Sequence, residues 1–520
     1  RKGGAGGGRW VDSRGDSRGA VGLETIGSRS AAPHLGEDIP DRCSVPMRAF
    51  SPANFCPMPD LLPDRVQPLN DRAPAGQAEY VLYWMEQSKR ARHNPALERG
   101  LQHANEHDLP LLVVVGLMDE GPEANLRHYT FVLEGLRETQ QRLATRGLQL
   151  VVQHGSPDEV ALRYADDAAV LVTDRGYLRH QKQWRARVAE AAPCRVEQVE
   201  GDVVVPVETA TEKAEYAART LRPKIHEHLE RCLQLPPEVP VETSSLGLDG
   251  DAGLDLSTLS TVLDSLEMNR SVAPVSSLYR GGAPEAERIL EDFLGEHLEG
   301  YDGNRNQIHS HAVSHMSKYL HAGQISPVWL ARQVQQADGP EADTESYIEE
   351  LVVRRELAMN HVHFRPDTYD SYSCLPEWAR ESLAEHAEDE REYVYSRAEL
   401  EQGDTHDPYW NAAMKEMRET GYMHNYMRMY WGKKILEWSP DPHTAYTRTL
   451  ALNNTYFLDG RDPNSFANVA WVFGLHDRGW KERPVYGKVR YMSQGGLKRK
   501  ADPDAYVEKV DRLAARAQSA

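Results

Sequence analysis

The chain has 520 residues and ten tryptophans, and five of these (Trp410, Trp431, Trp438, Trp471 and Trp480) fall between positions 410 and 480. Indole is among the more easily oxidised side chains, so a closely spaced set of tryptophans can carry an electron hole from ring to ring. The stretch 411–438 reads as one helix. Trp431 and Trp438, seven residues apart, then share a face and lie about 10 Å apart along the axis. Past Trp471 the charge changes sign. Between Arg478 and Lys500 stand eight Lys or Arg against the single acid Glu482, a local +7 in a chain of net charge −19. Oxidisable rings followed by a basic ribbon point to a redox cofactor beside a polyanion. Plainer readings stay open for both features: an aromatic stripe at helical spacing also makes a core, and a basic run also makes a solvated surface.

Three longer strings narrow the choice. They are His424-Asn425-Tyr426-Met427-Arg428-Met429-Tyr430-Trp431-Gly432-Lys433-Lys434, Tyr456-Phe457-Leu458-Asp459-Gly460-Arg461-Asp462-Pro463-Asn464, and Gly474-Leu475-His476-Asp477-Arg478-Gly479-Trp480 followed by Gly487-Lys488-Val489-Arg490-Tyr491-Met492-Ser493. In this order they resemble the flavin-domain signatures of the class II cyclobutane pyrimidine dimer photolyases, and the resemblance runs from about Glu79 to Val510. It implies light-driven repair of pyrimidine dimers in double-stranded DNA, with reduced FAD as the electron donor and the protein acting as a monomer. The rival classes are a cryptochrome-like photoreceptor without repair activity, a (6-4) photoproduct enzyme and a non-photochemical flavoprotein.

The resemblance also implies residue roles. Asn425 and Arg428 contact FAD, Arg428 paired with Asp459 beside the isoalloxazine, and Asn453 faces flavin N5, where an amide tunes the stable redox state. Taken from the residues alone, Asn453 reads equally as a helix C-cap or turn. Glu350, in the string 349–357, faces the lesion and supports charge developing on the base, while Arg354 holds FAD; the plain alternative is an exposed i,i+4 pair. Tyr301, Ser314, Ser317 and Tyr319 are the candidates around the FAD phosphates. There this chain departs from the family pattern, reading Ser317-Lys318-Tyr319-Leu320-His321-Ala322-Gly323 with His315 upstream. Trp431, Trp410 and Trp438 match an electron-transfer chain, with Tyr395 and Tyr430 as accessory rings. Met429 and Trp471 line the pocket for the extruded dimer. Trp480 and Arg490 fill the gap left in the duplex, and Arg478, Lys481 and Lys488 meet phosphates. His311 and His315 lie at i,i+4 without a flanking acid motif, so no metal is expected.

These residues need a scaffold, and the rest of the chain outlines one. Apolar runs at Tyr80–Trp84, Leu111–Leu117, Leu148–Gln153, Ala169–Thr173 and Val203–Val207 alternate with amphipathic stretches such as Ala124–Arg146 and Leu178–Ala192. That alternation predicts a doubly wound, Rossmann-like parallel sheet over 79–233, with ligands met at the carboxyl strand ends near Met85–Ser88 and Asp174–Gly176. No GxGxxG or Walker loop is present, which disfavours dehydrogenases and P-loop enzymes. Arg127, His128 and the 175–180 string read as helix-start and packing features. By the resemblance this domain is the place for an antenna chromophore, of deazaflavin or folate class. Residues 234–282 are rich in Pro, Gly and Asp and read as a linker. Residues 283–520 read as helix after helix, the FAD- and DNA-binding domain. Residues 1–78 read as a disordered or extended lead-in, with 1–47 as upstream sequence ahead of a start at Met47. The five cysteines (Cys43, Cys56, Cys194, Cys232, Cys374) are scattered without CxxC spacing, which fits a reducing cytoplasm. No apolar run suggests a signal peptide or a membrane span.

Overall fold

The computed structural model describes residues 61–518 except 120 and 122, all within the compact unit Met58–Ala520. The expectations for residues 1–60, including the start at Met47 and the thiols of Cys43 and Cys56, lie outside the described residues.

Six strands form one sheet in the order β1-β6-β5-β2-β3-β4: β1 Val66–Pro68, β2 Tyr80–Trp84, β3 Leu111–Leu117, β4 Gln149–His154, β5 Ala168–Asp174 and β6 Arg195–Val199. β2 to β6 are parallel, as the buried Val/Leu-rich runs predict, with Tyr83 opposite Val113 and Val172. β1 pairs antiparallel with β6, so the lead-in supplies an edge strand, which the sequence reading had not foreseen. Helices Pro95–Glu106, Leu126–Thr145, Pro157–Ala165 and Arg179–Ala191 make the crossovers.

Val203–Val207 is not a strand; the last strand is Arg195–Val199. The Glu356 carboxylate accepts from the N–H groups of Val204 (2.5 Å) and Val205 (3.2 Å), and the Arg65 guanidinium donates to the carbonyls of Val203 and Val204. Side chains thus satisfy buried backbone groups that a ladder would otherwise serve. β6 escapes a hydropathy reading because Glu197, fully buried in it, meets Arg99, Arg195 and His103.

Residues 234–282 fold back along the first domain: Leu254 N–H donates to Val152 O, Ser245 Oγ accepts from Gln149 N–H, and a short helix forms at Leu259–Ser265. Beyond residue 282 the named elements are helices and short turns. The expected helix 411–438 is two, Pro408–Thr420 and Asn425–Trp438, separated by Gly421 at φ +70°. A left-handed residue there ends the first helix, and glycine takes that conformation without cost from a side chain. Arg127 and His128, at the start of Leu126–Thr145, tie the two regions: Arg127 donates to the carbonyls of Met417, Arg418 and Tyr456, and His128 Nε2 meets Phe457 O.

Candidate functional site

Three helices converge on a cavity of about 630 Å³. Helix Asn425–Trp438 starts at His424, whose ring caps Tyr426 N–H, and it carries Asn425, Arg428, Met429 and Trp431 to the cavity wall. Helix Pro442–Tyr456 brings Asn453, and helix Pro463–Val472 brings Trp471. Gly432 lets the first of these pack closely on the third, since a Cβ there would lie 2.9 Å from Val472 Cγ2.

At one side Arg428 makes a bidentate pair with Asp459 (3.0 and 3.1 Å), its guanidinium 3.9 Å from the Phe457 ring centroid. Burial pushes the Asp459 carboxyl up, but Arg428 and the Ser317 hydroxyl outweigh it, and the net shift is below the ordinary carboxylate range. Asn453 Nδ2 donates to Asn454 Oδ1 (3.1 Å), which leaves the Asn453 carbonyl oxygen available to the cavity. Ser314, Ser317 and Tyr301 line the same space; Ser314 Oγ accepts from Tyr347 (2.8 Å). His315, between those serines, sits at φ +56°, uncommon for a non-glycine residue. Lys318 is buried beneath this turn, donating to His315 O with its ammonium 3.9 Å from the Tyr279 ring, and burial lowers its pKa to about 7.

The opposite wall holds Glu350, whose carboxylate meets Arg305 Nη1 at 2.7 Å. The segment Glu349–Arg354 is a π-helix, a form frequent at functional sites. Its wider turn pairs Arg354 with Glu349 (2.9 Å), five residues back, so the alternative Glu350–Arg354 pair does not form, and Glu350 borders the cavity. Arg354 borders the cavity with about half of its side chain exposed. Toward solvent stand Met429, Trp471 and Arg490. The Arg490 guanidinium lies between two indoles, 5.6 Å from the Trp471 centroid and 4.6 Å from that of Trp480. Trp480 is 38 % exposed, and Arg478 (5.3 Å from its ring), Lys481 and Lys488 are exposed around it.

Behind the cavity runs a file of rings. The Trp431 indole N–H is buried without a partner among the described residues, and its ring borders the cavity. Trp410 Nε1 donates to Trp431 O (3.0 Å), the Trp410 and Trp438 centroids are 5.6 Å apart, and Tyr395 is 5.5 Å beyond Trp438. Asp407 fixes this order: it caps the helix that bears Trp410, and its carboxylate also accepts from the Tyr430 hydroxyl of the neighbouring helix.

A second cavity, about 720 Å³, opens at the carboxyl ends of β2 and β5, lined by Met85, Glu86, Gln87, Tyr177, His180 and Trp184 among others.

Residues 81–242 match the family model for DNA photolyase. A deoxyribodipyrimidine photo-lyase from Methanothermobacter thermautotrophicus is 50% identical over 448 residues, which cover 86% of this chain and 98% of that protein. This chain belongs to the DNA photolyase family. A plant relative of the same name, from Arabidopsis thaliana, is 36% identical over 446 residues, covering 83% of this chain and 89% of its own. Among solved structures, a Synechocystis cryptochrome matches with a TM-score of 0.64 at 16% identity (84% of this chain, 89% of that one). An archaeal photolyase from Sulfolobus tokodaii, solved with two FAD molecules, matches with 0.61 at 15% identity (84% and 92%). At such identities these two speak for the fold: an α/β domain followed by a helical one.

In this photolyase-family chain most of the residues expected to hold cofactor or lesion border one space, while Arg478, Trp480, Lys481 and Lys488 stand outside its lining. Tyr319 does not border the cavity; its hydroxyl donates to Arg280 O (2.9 Å) and its ring packs on Phe131, because the short helix Ser317–His321 turns that face into the core. Trp410, Trp438, Tyr395 and Tyr430 stand behind the cavity wall. Sequence reasoning missed Arg305, which holds Glu350, and His476, which borders the cavity at φ +58° beside His361. His476 lies in one of the signature strings, whereas no spacing signal links Arg305 to Glu350.

Proposed function

We propose that this chain is a light-driven DNA repair lyase that opens cyclobutane pyrimidine dimers in double-stranded DNA, acting as a monomer. One observation carries the reading. Glu350, Met429 and Trp471 face the same cavity as Arg428–Asp459, Asn453 and Trp431, and that cavity opens beside exposed Trp480 and a cluster of Arg and Lys.

The residues fit FAD. The cavity volume is of cofactor size, Arg428 and Asn425 supply donors, the Asn453 carbonyl supplies an acceptor, and the buried Trp431 N–H lacks one. Held there in reduced form, FAD would supply the light-absorbing one-electron donor for ring opening. The protein does the remaining work. Arg428 and Asp459 fix the cofactor's place as a rigid bidentate unit. Glu350, held by Arg305, meets the polar edge of the extruded bases, where charge develops. Trp471 offers a face on which a base stacks, and Met429 closes the apolar side. Extruding a base costs a few kcal/mol, less for a poorly paired lesion; Arg490 and Trp480 stand where the vacated duplex would be filled. Arg478, Lys481 and Lys488 bind phosphates without reading sequence. Trp431, Trp410 and Trp438 carry electrons inward from the surface to restore the reduced cofactor, a separate task from repair.

The second cavity lies at the carboxyl strand ends, where a sheet of this kind binds ligands, in the domain to which the resemblance assigns an antenna. A planar chromophore of deazaflavin or folate class there would feed excitation to the first site. That the Sulfolobus tokodaii relative was solved with two FAD molecules supports a second chromophore in this fold.

The test is illumination of reduced, FAD-loaded protein with thymine-dimer DNA while thymine absorbance is followed. Recovery in the light and none in the dark supports repair; no recovery with lesion DNA bound returns the receptor reading.

A further inference from the structure

At its outer end the file of rings meets a tyrosine and a histidine that are hydrogen-bonded to each other. Tyr395 is seated by its backbone: its N–H donates to Trp438 O (3.1 Å), and Arg448 Nη1 donates to its carbonyl (2.9 Å). The phenol ring then lies 5.5 Å from the last indole. His406 arrives from the other direction, on the turn before helix Pro408–Thr420. Asn411 holds that turn, its Oδ1 accepting from the N–H and hydroxyl of Thr405 and its Nδ2 donating to Thr405 O, and Asp407 caps the helix. The same cap that sets Trp410 therefore sets His406, whose ring lies 5.1 Å from Trp438.

The Tyr395 oxygen meets His406 twice. The backbone N–H of His406 donates to it (3.0 Å), and ring Nδ1 lies 2.7 Å away. With one donor already on the oxygen, the contacts favour a phenolic hydrogen aimed at Nδ1 and a ring that carries its own proton on Nε2. Burial separates this pair from the other tyrosine of the file. Tyr430 donates to the Asp407 carboxylate, but both residues are buried, whereas His406 is exposed and can hand a proton on to water. A phenol that loses an electron becomes strongly acidic, so a tyrosine gives one up readily only where a base within hydrogen-bond reach takes the proton.

On the reading of Trp431–Trp410–Trp438 as an electron path, we propose that His406 is the proton acceptor that lets Tyr395 replace Trp438 as the final holder of the electron hole. When the Trp438 indole is one electron short, Tyr395 supplies that electron. Its O–H bond breaks, the proton forms an N–H bond at His406 Nδ1, and the imidazolium releases its Nε2 proton to water. The products are a neutral indole, a neutral phenoxyl radical, a neutral imidazole and one proton in solution. The hole then sits one ring further from the main cavity, and its return requires a proton as well as an electron. His406 is thus a positioning and proton-accepting residue for photoreduction, with no part in repair itself.

The test follows a light flash on FAD-loaded, oxidised protein by transient absorption and freeze-quench electron paramagnetic resonance. A tryptophan radical is expected to give way to a tyrosyl radical, about twofold or more slowly in heavy water. Tyr395→Phe should abolish the tyrosyl signal; its persistence would put the hole on Tyr430 or on exposed Tyr393, which stacks on His406, and would overturn the assignment. His406→Ala should slow the conversion about a hundredfold, with imidazole in solution restoring it. An unslowed conversion, or a slowed one that imidazole does not restore, would leave His406 a packing role only and overturn the proposal. Nitrogen NMR of the His406 ring in the dark, which involves no flavin chemistry, is expected to show an unprotonated Nδ1 whose signal moves in Tyr395→Phe; a protonated Nδ1 at neutral pH would contradict it. The two readings fail differently. A tryptophan radical that forms but never yields a tyrosyl radical sinks the role of His406 and leaves the electron path standing, whereas no tryptophan radical at all means that the path is wrong and the role falls with it.

Discussion

Trp431 is the residue on which two functions part company. Its ring borders the main cavity and its carbonyl accepts from Trp410, so it is the inner end of the file. Replacing it with Phe keeps an aromatic of similar shape but raises the cost of oxidation. Trp431→Phe is therefore expected to slow light-driven reduction of oxidised cofactor at least tenfold, while chemically pre-reduced protein repairs dimers at the wild-type rate. Transient absorption and a repair assay check the two halves, and loss of repair by pre-reduced protein would contradict the role. At this scale much was legible beforehand. The resemblance paired Arg428 with Asp459, grouped Met429 with Trp471 and set Trp480 with Arg490. What could not be read was direction. Tyr319 sits one helical step beyond Ser317 and Lys318, and only the packing of that short helix on Phe131 sends its ring away from the cavity. The partner of Glu350 is equally hidden, because a π-helix gives Arg354 to Glu349 and Arg305, 45 residues upstream, meets Glu350.

Elements were legible where hydropathy alone decides them. β2 was predicted with its observed bounds, and so was β3, since both are continuous apolar runs buried on both faces. The failures occur where a side chain replaces backbone. The 203–207 run looks like a strand, yet Glu356 takes its N–H groups, whereas Arg195–Val199 looks polar and is a strand because Arg99, Arg195 and His103 meet the buried Glu197. The helix break at Gly421 was written in the sequence as a glycine, but Gly432 in the same stretch lies inside a helix, so the residue type alone did not mark the break. Glu356 offers a test of this account. A buried N–H left without an acceptor costs about 1–3 kcal/mol, and Glu356→Ala removes the acceptor from two of them. Thermal unfolding should show a clear fall in Tm, with Glu356→Gln between it and the wild type. An unchanged Tm for the alanine variant would mean that the loop is held by Arg65 alone.

At the scale of the whole molecule, the net charge of −19 conceals a local arrangement. The cationic residues around Trp480 are exposed on the side where the main cavity opens, so a polyanion is drawn to that face despite the acidic total. Each phosphate contact contributes roughly one unit to the slope of log affinity against log salt. The double variant Lys488→Gln, Arg490→Gln is thus expected to bind DNA more weakly with a slope shallower by about 1–2, measured by titration at several salt concentrations. An unchanged slope would make these residues plain surface. The division into an α/β and a helical region could be read from the order of elements alone. The clamp of Arg127 and His128 across it could not, since their partners are backbone carbonyls near residues 417 and 456.

The central claim is that cofactor and extruded dimer share one cavity, close enough for an electron to pass between them. The fluorescence lifetime of the reduced, FAD-loaded protein measures that proximity directly. The account predicts that a duplex carrying one thymine dimer shortens the lifetime severalfold at saturation, and that the same duplex without the dimer leaves it unchanged. A lifetime unaltered by bound dimer DNA would contradict it.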